Sequence, residues 1–422
     1  MPNSTQSTKI LFLDQSGNIG GAELSLLDVA RPYRDRCLVG LFQDGPYRQL
    51  LERAQIPVQI LTSESLEIRR DSPIWQSLLA SRSLISLVKT VIHFSREYDI
   101  VYTNTPKAFI VGAIASAISR HPLVYHLRDI LSREHFSWAN VQLLTTLANR
   151  FATLLIANSQ ATRQAFIDAG GRPDLVQVVY NGFNVDFYQA APRAISLGSA
   201  DLISVSPLMK DGDNPHLSVS PLNQSEAIAK PFPEKTSKSF VVGHFSRFSA
   251  WKGQHILLEA LAHCPNEVSA WFVGDALFGE QAYVEYLYRE IDRLNLHHRV
   301  KFFGFQDQIP QLMAACHLIT HTSTAPEPFG RVIVEAMLCG VPVVAVASGG
   351  AVELVEHGKT GWLMPSSEPV KLAEIIHHCR THPEQTRAIA QAAQLRARTL
   401  FSQSKMEQKI DTLLQTLLSR HV

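Results

Sequence analysis

The sequence predicts an α/β protein built from two doubly wound domains. Its 422 residues are too many for one ordinary core, since about 150 residues per domain is typical. Short apolar runs alternate with segments of helical periodicity in two separate series, one before Tyr188 and one after Ser239. Strands separated by helices indicate βαβ units, and therefore parallel sheets with helices on both faces.

The first series defines a domain at residues 1–188. It begins with an apolar run at Lys9–Asp14 and a glycine loop, which leads into a helix from about Ala22. Further strands are predicted at 36–42, 58–61, 99–103, 123–127 and 153–157. Helices are predicted at 84–98, 108–118 and 141–151.

The segment 189–239 differs in composition from both series. It is rich in Ser, Pro, Asn, Asp and Lys and has no sustained period, so we predict a linker or insertion that is partly disordered. Asp211-Gly212-Asp213 imitates a metal-binding Asp-x-Asp motif. Because this motif lies in the biased segment, we assign no metal to it.

The second series predicts a domain at residues 240–403, followed by a C-terminal helical segment at 404–422. Strands are expected at 240–245, 270–273, 300–303, 318–321 and 342–346. Helices are expected at 253–263, 281–294, 308–315, 332–338, 370–379 and 387–399. In such folds ligands bind outside the carboxyl ends of the strands, and two such domains predict a site in the cleft between them.

Composition excludes several classes of partner. The formal net charge is +1, so no global field favours nucleic acid. The five cysteines are scattered, which argues against a disulfide framework or a structural zinc site. The longest apolar stretch, 108–118, is shorter than a membrane span. We expect a cytoplasmic protein that could still contact the inner membrane surface peripherally.

Two glutamates, Glu327 and Glu335, stand on either side of a predicted helix start. Pro326 and Pro328 bracket Glu327, so Glu327 cannot lie inside a helix. Gly330 lies where the helix should begin, and Glu335 falls within it. Carboxylates accept hydrogen bonds from sugar and ribose hydroxyls, and a helix N-terminus suits phosphate charge. The pattern favours a binding site over a capped helix with a surface glutamate.

A second loop carries two cations, Arg247 and Lys252, between a strand and a helix. Two fixed cations beside a helix start suit a diphosphate, and Gly253 permits close approach of the backbone. The alternative is a solvated loop with ordinary surface charge. Asp275 follows the next strand, and Gly349-Gly350 follows a later one. Because loops at the carboxyl ends of parallel strands share one edge, we expect them to converge.

The first domain offers a glycine loop and a histidine. Gly20-Gly21 follows the first strand and opens a helix, which suits ligand contact or only a tight turn. The spacing of a dinucleotide fingerprint is absent. His126 ends a strand and is followed by Arg128 and Asp129, a pattern that suits a substrate cleft or a locally satisfied histidine.

This ordered set of motifs resembles the retaining glycosyltransferases of family 4, also called glycosyl transferases group 1. The resemblance covers nearly the whole chain outside the biased segment and is strongest from Phe240 to about Met364. The motifs that carry it lie at 20–23 (GGAE), 126–129 (HLRD), 157–159 (ANS), 180–182 (YNG), 247–253 (RFSAWKG), 273–275 (VGD), 327–337 (EPFGRVIVEAM), 349–353 (GGAVE) and 358–361 (GKTG).

The resemblance implies a GT-B fold, in which two Rossmann-like domains face each other across a cleft and the last helix crosses back to the first domain. It implies a nucleotide-sugar donor and no metal or other cofactor. The residues implied in catalysis are His126, Arg247, Lys252 and Glu327. Those implied in donor binding are Gly20, Gly21, Asp275, Phe329, Gly330, Arg331 and Glu335, with Glu335 on the ribose hydroxyls.

The expected reaction moves a sugar from a UDP- or GDP-sugar to a hydroxyl of a glycan, a lipid-linked acceptor or a small molecule, with retention, in polysaccharide or glycoconjugate biosynthesis. We find no sequence candidate for a covalent nucleophile, and front-side attack, with the departing phosphate taking the proton, fits better. Two alternatives remain open. One is a GT-B nucleotide-sugar epimerase, and the other is a non-catalytic nucleotide-sugar-binding subunit.

Overall fold

A computed structural model describes residues 8–62, 82–189, 239–276, 279–365 and 368–420. The chain divides into two compact units. Unit 1 comprises Met1–Asn184, Pro326–Arg331 and Leu400–Val422, and unit 2 comprises Val185–Ala325 and Val332–Thr399. Most of the predicted insertion, including Asp211-Gly212-Asp213, lies outside the described residues.

The chain alternates strands and helices. The strands are β1 (Ile10–Asp14), β2 (Cys37–Leu41), β3 (Val58–Ile60), β4 (Ile100–Thr103), β5 (Leu123–Leu127), β6 (Leu154–Ala157), β7 (Val176–Val178), β8 (Phe240–Phe245), β9 (Val268–Val273), β10 (Val300–Phe303), β11 (Leu318–His321), β12 (Val343–Val346) and β13 (Trp362–Met364). The helices are α1 (Gly21–Ala30), α2 (Pro46–Arg53), α3 (Arg82–Ser95), α4 (Pro106–Ser119), α5 (Trp138–Phe151), α6 (Gln160–Asp168), α7 (Val185–Gln189), α8 (Gln254–Ala262), α9 (Gln281–Leu294), α10 (Ile309–Ala315), α11 (Arg331–Leu338), α12 (Ala351–Leu354), α13 (Pro369–Thr381), α14 (Pro383–Leu400) and α15 (Gln403–Ser419). Short 3-10 helices occupy Arg31–Arg36 and Ala250–Lys252.

Unit 1 contains a seven-stranded parallel sheet in the order β3-β2-β1-β4-β5-β6-β7. Successive side chains of a strand point to opposite faces, so each strand contributes to two cores. Leu11 and Leu13 pack with helices α3 to α5, whereas Ile10 and Phe12 pack on the other face. This alternation buries both faces of the sheet, as a parallel sheet requires.

The C-terminal helix α15 belongs to unit 1. Its residues Met406, Ile410 and Leu414 recur at helical spacing and lie in the same core cluster as Phe12 and Tyr102. The chain is tied to this unit just before the helix as well, since Phe183 N–H donates to Phe401 O at 2.9 Å. The last helix therefore packs on the first sheet, although its sequence follows the second domain.

Unit 2 contains a six-stranded parallel sheet in the order β10-β9-β8-β11-β12-β13. Its described core includes Phe240 and Val242 of the central strand β8, packed with apolar residues of helices α8, α9 and α13. The predicted α/β class with two parallel sheets is confirmed for both units. Among the described residues, no helix is long and apolar enough to cross a bilayer.

Several elements differ from the sequence expectations. Strands β7 and β13 have three residues each and were not predicted from the sequence. Helices α2 and α6 have eight and nine residues and were not predicted either. These elements are short, and the sheet and its neighbouring helices supply the burial that stabilises them.

Candidate active site

His126, the residue before the last of strand β5, is a buried, neutral histidine. Its Nδ1 lies 2.5 Å from the Tyr102 hydroxyl, on the adjacent strand β4. Burial, together with the nearby Arg128 charge, lowers the pKa of His126 well below its usual value. Burial raises the pKa of Tyr102, so the phenol keeps its proton, and we assign this hydroxyl as the donor to Nδ1. The ring proton then sits on Nε2, a buried atom with no hydrogen-bond partner among the described residues.

A buried polar network holds the strand ends around this histidine. Asn104 Nδ2 donates to Asp14 Oδ2 at 2.7 Å, and Asn104 Oδ1 accepts from Arg128 Nε at 2.8 Å. Arg128 Nη1 donates to Asn181 Oδ1 at 2.7 Å. The network links the ends of β1, β4 and β5 to the segment after β7. Burial lowers the pKa of Arg128 only to about 10, so it remains a cation at neutral pH.

Gly20 is the N-cap of helix α1, and Gly21 is its first residue. Glu23 is the third residue of the helix, and its carboxyl group lies next to the Gly20 backbone. A side chain on Gly20 would place its Cβ 2.7 Å from Glu23 Oε2. Burial and the neighbouring Asp14 raise the pKa of Glu23 to about 8. The predicted phosphate contact of Gly20 and Gly21 stays a prediction.

The loop Pro326–Arg331 belongs to unit 1. Two side chains of unit 1 hold it through hydrogen bonds to its backbone carbonyls. The Pro326 carbonyl accepts from His135 Nε2 at 2.9 Å. The Pro328 carbonyl accepts from Ser159 Oγ at 2.5 Å. These two carbonyls flank Glu327, the residue that the sequence singles out.

Phe329 fills an aromatic pocket of unit 1. Its ring is 2% exposed, and its centroid lies 5.9–6.3 Å from those of Tyr180, Phe183 and Phe401. Two of these residues lie just after β7, and Phe401 lies just before α15. The Phe329 side chain therefore anchors the loop, which leaves only its backbone groups for the predicted sugar contact.

Gly330 and Arg331 make the transition from this loop into helix α11. Gly330 has a φ of +95°, which glycine adopts without strain. Arg331 Nη1 pairs with Asp28 Oδ2 at 3.1 Å and donates to Ser25 Oγ at 3.0 Å. Its guanidinium carbon also lies 4.7 Å from the Phe183 ring centroid. These contacts give Arg331 a role in anchoring the loop, and its predicted donor contact stays a prediction.

In unit 2, the loop after β8 brings Arg247 and Lys252 onto one indole ring. Lys252 Nζ lies 4.0 Å, and the Arg247 guanidinium carbon 5.6 Å, from the Trp251 ring centroid. The ring face attracts both cations and so offsets part of their mutual repulsion. Gln254 Nε2 donates to the Arg247 carbonyl at 2.9 Å, which ties the loop to the start of helix α8. The loop brings the two cations together on one ring, and their predicted role in holding a diphosphate stays a prediction.

Two glycines let this loop pack against its neighbours. Gly253 has a φ of +72°, and a Cβ there would lie 2.0 Å from the Thr322 carbonyl oxygen. Gly274 has a φ of +137°, and a Cβ there would lie 2.1 Å from the Ser246 carbonyl oxygen. Asp275 follows Gly274 and is exposed, with Oδ1 accepting from the Ala276 N–H at 2.7 Å. The loop after β8 therefore packs closely against the loops after β9 and β11, and the predicted convergence on one site with Gly349-Gly350 stays a prediction.

The remaining predicted donor residue, Glu335, lies in the second turn of helix α11 and is partly exposed.

His244 of strand β8 contacts the loop that carries Arg247 and Lys252 (the cation loop, residues 246–253). Its Nε2 lies 3.0 Å from Thr322 Oγ1 and 3.2 Å from the Lys252 carbonyl oxygen. Burial lowers the pKa of His244 to about 3, so the ring is neutral. Within the described ranges, no group of three or more His, Cys, Asp or Glu residues is arranged to hold a metal ion.

Sequence reasoning missed three buried polar residues of these clusters: Tyr102, Asn104 and His244. Each lies at or next to the carboxyl end of a strand, which is a usable signal in a parallel sheet. Their partners His126, Asp14 and Thr322 are distant in sequence, so no local pattern pairs them.

The two parallel Rossmann-like sheets match the fold of GT-B glycosyltransferase structures. Residues 19–187 match the family Glycosyltransferase Family 4, and residues 225–396 match Glycosyl transferases group 1. The chain belongs to this family of transferase enzymes, as the sequence motifs predicted.

Solved and curated relatives agree with this assignment. The structure of Anabaena HepE in complex with UDP-glucose is 50% identical, with a TM-score of 0.80, over 97% of this chain and 99% of that one. The capsular polysaccharide biosynthesis glycosyltransferase CapM of Staphylococcus aureus is 22% identical over 88% of this chain and 92% of its own length. The N-acetyl-alpha-D-glucosaminyl L-malate synthase of Bacillus anthracis is 28% identical over 42% of this chain, and the match spans 45% of that relative's length.

Proposed function

We propose that the protein transfers a sugar from a nucleotide-diphosphate donor to an acceptor hydroxyl, with retention. The observation that carries this proposal is the 50% identity to Anabaena HepE, whose structure holds UDP-glucose. A UDP-sugar is therefore the first donor to test, ahead of a GDP-sugar. A glycan, lipid-linked or small-molecule acceptor in polysaccharide or glycoconjugate biosynthesis is supported by relatives such as CapM.

We assign side chains to each part of the nucleotide-sugar donor: the diphosphate, the ribose and the transferred sugar. Arg247 and Lys252 share the Trp251 ring, and so present two positive charges to a diphosphate. Glu335 would accept hydrogen bonds from the ribose hydroxyls, and Glu327 from the donor sugar. Asp275 lies on the neighbouring exposed loop and completes the proposed donor set in unit 2.

His126 would contribute a neutral N–H donor. Its Nε2 proton is set by the Tyr102 hydroxyl on the opposite ring nitrogen. A neutral donor binds a sugar hydroxyl without adding a charge that would compete with the diphosphate clamp. Because the pKa of His126 is depressed, this role persists across the neutral pH range.

In the proposed reaction, the bond between the sugar anomeric carbon and the diphosphate oxygen breaks. The acceptor oxygen bonds to the same face of that carbon, and the acceptor proton passes to the departing diphosphate oxygen. Arg247 and Lys252 stabilise the charge that develops on the diphosphate. Arg247 and Lys252 would neutralise the negative charge of the diphosphate, which a divalent cation does in other enzymes. We therefore expect that the reaction requires no metal. Measuring activity in the presence of EDTA tests this expectation.

Two other functions make different predictions. A nucleotide-sugar epimerase would release free nucleotide and epimerised sugar without any acceptor. A non-catalytic binding subunit would bind the donor but show no turnover over a panel of acceptors. We also propose a cytoplasmic location with peripheral contact to the inner membrane surface, which cell fractionation tests.

A screen of UDP-, GDP- and ADP-glucose by thermal shift and calorimetry identifies the nucleotide. Lys252→Ala then tests the clamp, and Lys371→Ala is the matched control, since Lys371 is an exposed lysine of unit 2 paired with Glu374. We expect Lys252→Ala to lower kcat/KM by about 100-fold, with Lys371→Ala unchanged. Equal kinetics for Lys252→Ala and wild type would reject the clamp assignment.

A further inference from the structure

We propose that Ser159 and His135 are positioning residues, which orient the 326–331 loop for recognition of the donor sugar. This inference rests on the proposed function, because it concerns the sugar half of a nucleotide-sugar donor. Neither residue would touch the donor itself. They would act through the carbonyls of Pro326 and Pro328, which flank Glu327.

The Ser159 hydroxyl lies within hydrogen-bond distance of three groups: the Thr162 backbone N–H, the Thr162 hydroxyl and the Pro328 carbonyl. As the N-cap of helix α6, its oxygen accepts from the Thr162 backbone N–H at 3.0 Å. Its proton is then available for the Pro328 carbonyl, at 2.5 Å. The neighbouring Thr162 hydroxyl lies 2.9 Å from Asn158 Oδ1 and 3.2 Å from the Pro328 carbonyl oxygen, so it makes a second, longer contact with that carbonyl. Ser159 is fully buried, so these bonds are not exchanged with bulk water.

The anchored carbonyls determine where two amide donors point. A trans peptide is planar, and its C=O and N–H groups point in opposite directions. Holding the Pro328 carbonyl against Ser159 therefore turns the Phe329 N–H away from α6. In the same way, the His135 contact with the Pro326 carbonyl turns the Glu327 N–H away from His135.

The loop has little remaining freedom once these bonds form. Pro326 and Pro328 each have a fixed φ, and the Phe329 ring is enclosed by Tyr180, Phe183 and Phe401. The backbone around Glu327 is thus ordered before any ligand binds. A sugar that binds to this loop does not have to order it, which strengthens binding without adding a contact.

The test distinguishes recognition of the donor sugar from recognition of the nucleotide. Calorimetry measures the affinities of UDP and UDP-glucose for wild type, Ser159→Ala and His135→Ala. We expect each variant to weaken UDP-glucose binding by about tenfold and to leave UDP binding within about twofold, because UDP lacks the glucosyl group that would contact the loop. Ser159→Thr, which keeps both the cap and the donor, should restore UDP-glucose affinity.

Ser137→Ala is the matched control. Ser137 caps helix α5 in the same unit by accepting from the Asn140 N–H, but it has no contact with the loop among the bonds described. The Ser137→Ala variant should bind UDP and UDP-glucose with the affinities of the wild type. Should Ser159→Ala fail to fold without its cap, His135→Ala carries the test, since His135 is a partly exposed loop residue.

Three outcomes count against the inference. An unchanged UDP-glucose affinity in both variants would show that the anchors do not position the loop. A parallel loss of UDP and UDP-glucose affinity would indicate general damage rather than positioning. If wild type binds UDP but no UDP-, GDP- or ADP-sugar, the proposed function itself fails, and the positioning role fails with it.

Discussion

Replacing Glu23 by Gln should stabilise the protein at alkaline pH and have little effect at acidic pH. Glu23 is 9% exposed, and its carboxylate is close to the buried Asp14. Burial and that neighbouring charge raise the pKa of Glu23 from 4.5 to about 8. Gln keeps the size of the side chain and its carbonyl oxygen, so the substitution removes the charge with little change in packing.

The sign of this pH dependence follows from the number of protons that the folded and unfolded states bind. Because the pKa is higher in the folded state, folded protein holds a proton that the unfolded chain releases between about pH 4.5 and 8. The contribution of Glu23 to the unfolding free energy is complete below pH 4.5 and is lost as pH rises to about 8. At about 1.4 kcal/mol per pKa unit, the full loss is about 5 kcal/mol, and relaxation of a buried pair reduces it toward about 2 kcal/mol.

Urea unfolding followed by far-UV circular dichroism, at pH 5, 7 and 8.5, measures this difference. The variant and wild type should differ by less than about 1 kcal/mol at pH 5, and the variant should be more stable by about 2–5 kcal/mol at pH 8.5. Glu97→Gln, which replaces an exposed carboxylate of the same unit, is the control. A stability difference that is the same at pH 5 and pH 8.5 would refute the reasoning.

Three further substitutions test other parts of the two units. Gly253→Ala should destabilise the protein by about 2–4 kcal/mol, measured by urea unfolding, because it combines a left-handed backbone with a clash at the Thr322 carbonyl. Tyr102→Phe should cost about 1–3 kcal/mol in the same assay, since it leaves the buried His126 Nδ1 unpaired, and should lower the rate of sugar transfer. Phe329→Ala should cost about 3–5 kcal/mol by emptying the aromatic pocket. Losses below about 0.5 kcal/mol would show that the clash, the unpaired nitrogen or the cavity is relieved by local movement.

Local sequence patterns were enough to predict the long elements and the loops that follow them. Strand β8, the cation loop and helix α8 all follow from an apolar run, a glycine and a return to helical periodicity. The position of Glu327 outside a helix follows from its two flanking prolines alone. Such features depend on residues within one or two turns of each other, which is the range over which periodicity and turn chemistry operate.

Pairing between distant residues could not be predicted in this way. Ser159 and the Pro328 carbonyl are 169 residues apart, and Arg331 pairs with Asp28 across 303 residues. The sequence interpretation therefore placed Arg331 with the donor, whereas the structure shows the contacts that anchor it in unit 1. The sheet order, in which β1 lies between β2 and β4, is equally non-local.

The sequence by itself determined the family, the α/β class and the residue types on each strand-end loop, because these are encoded in local composition and spacing. Only the tertiary structure decided which buried groups share a proton or a charge. Neighbours on other elements exclude water from both groups: they raise the pKa of Glu23, and they leave His126 Nε2 without a hydrogen-bond partner among the described residues. Desolvation depends on everything packed around a group, and that is settled only when the chain has folded.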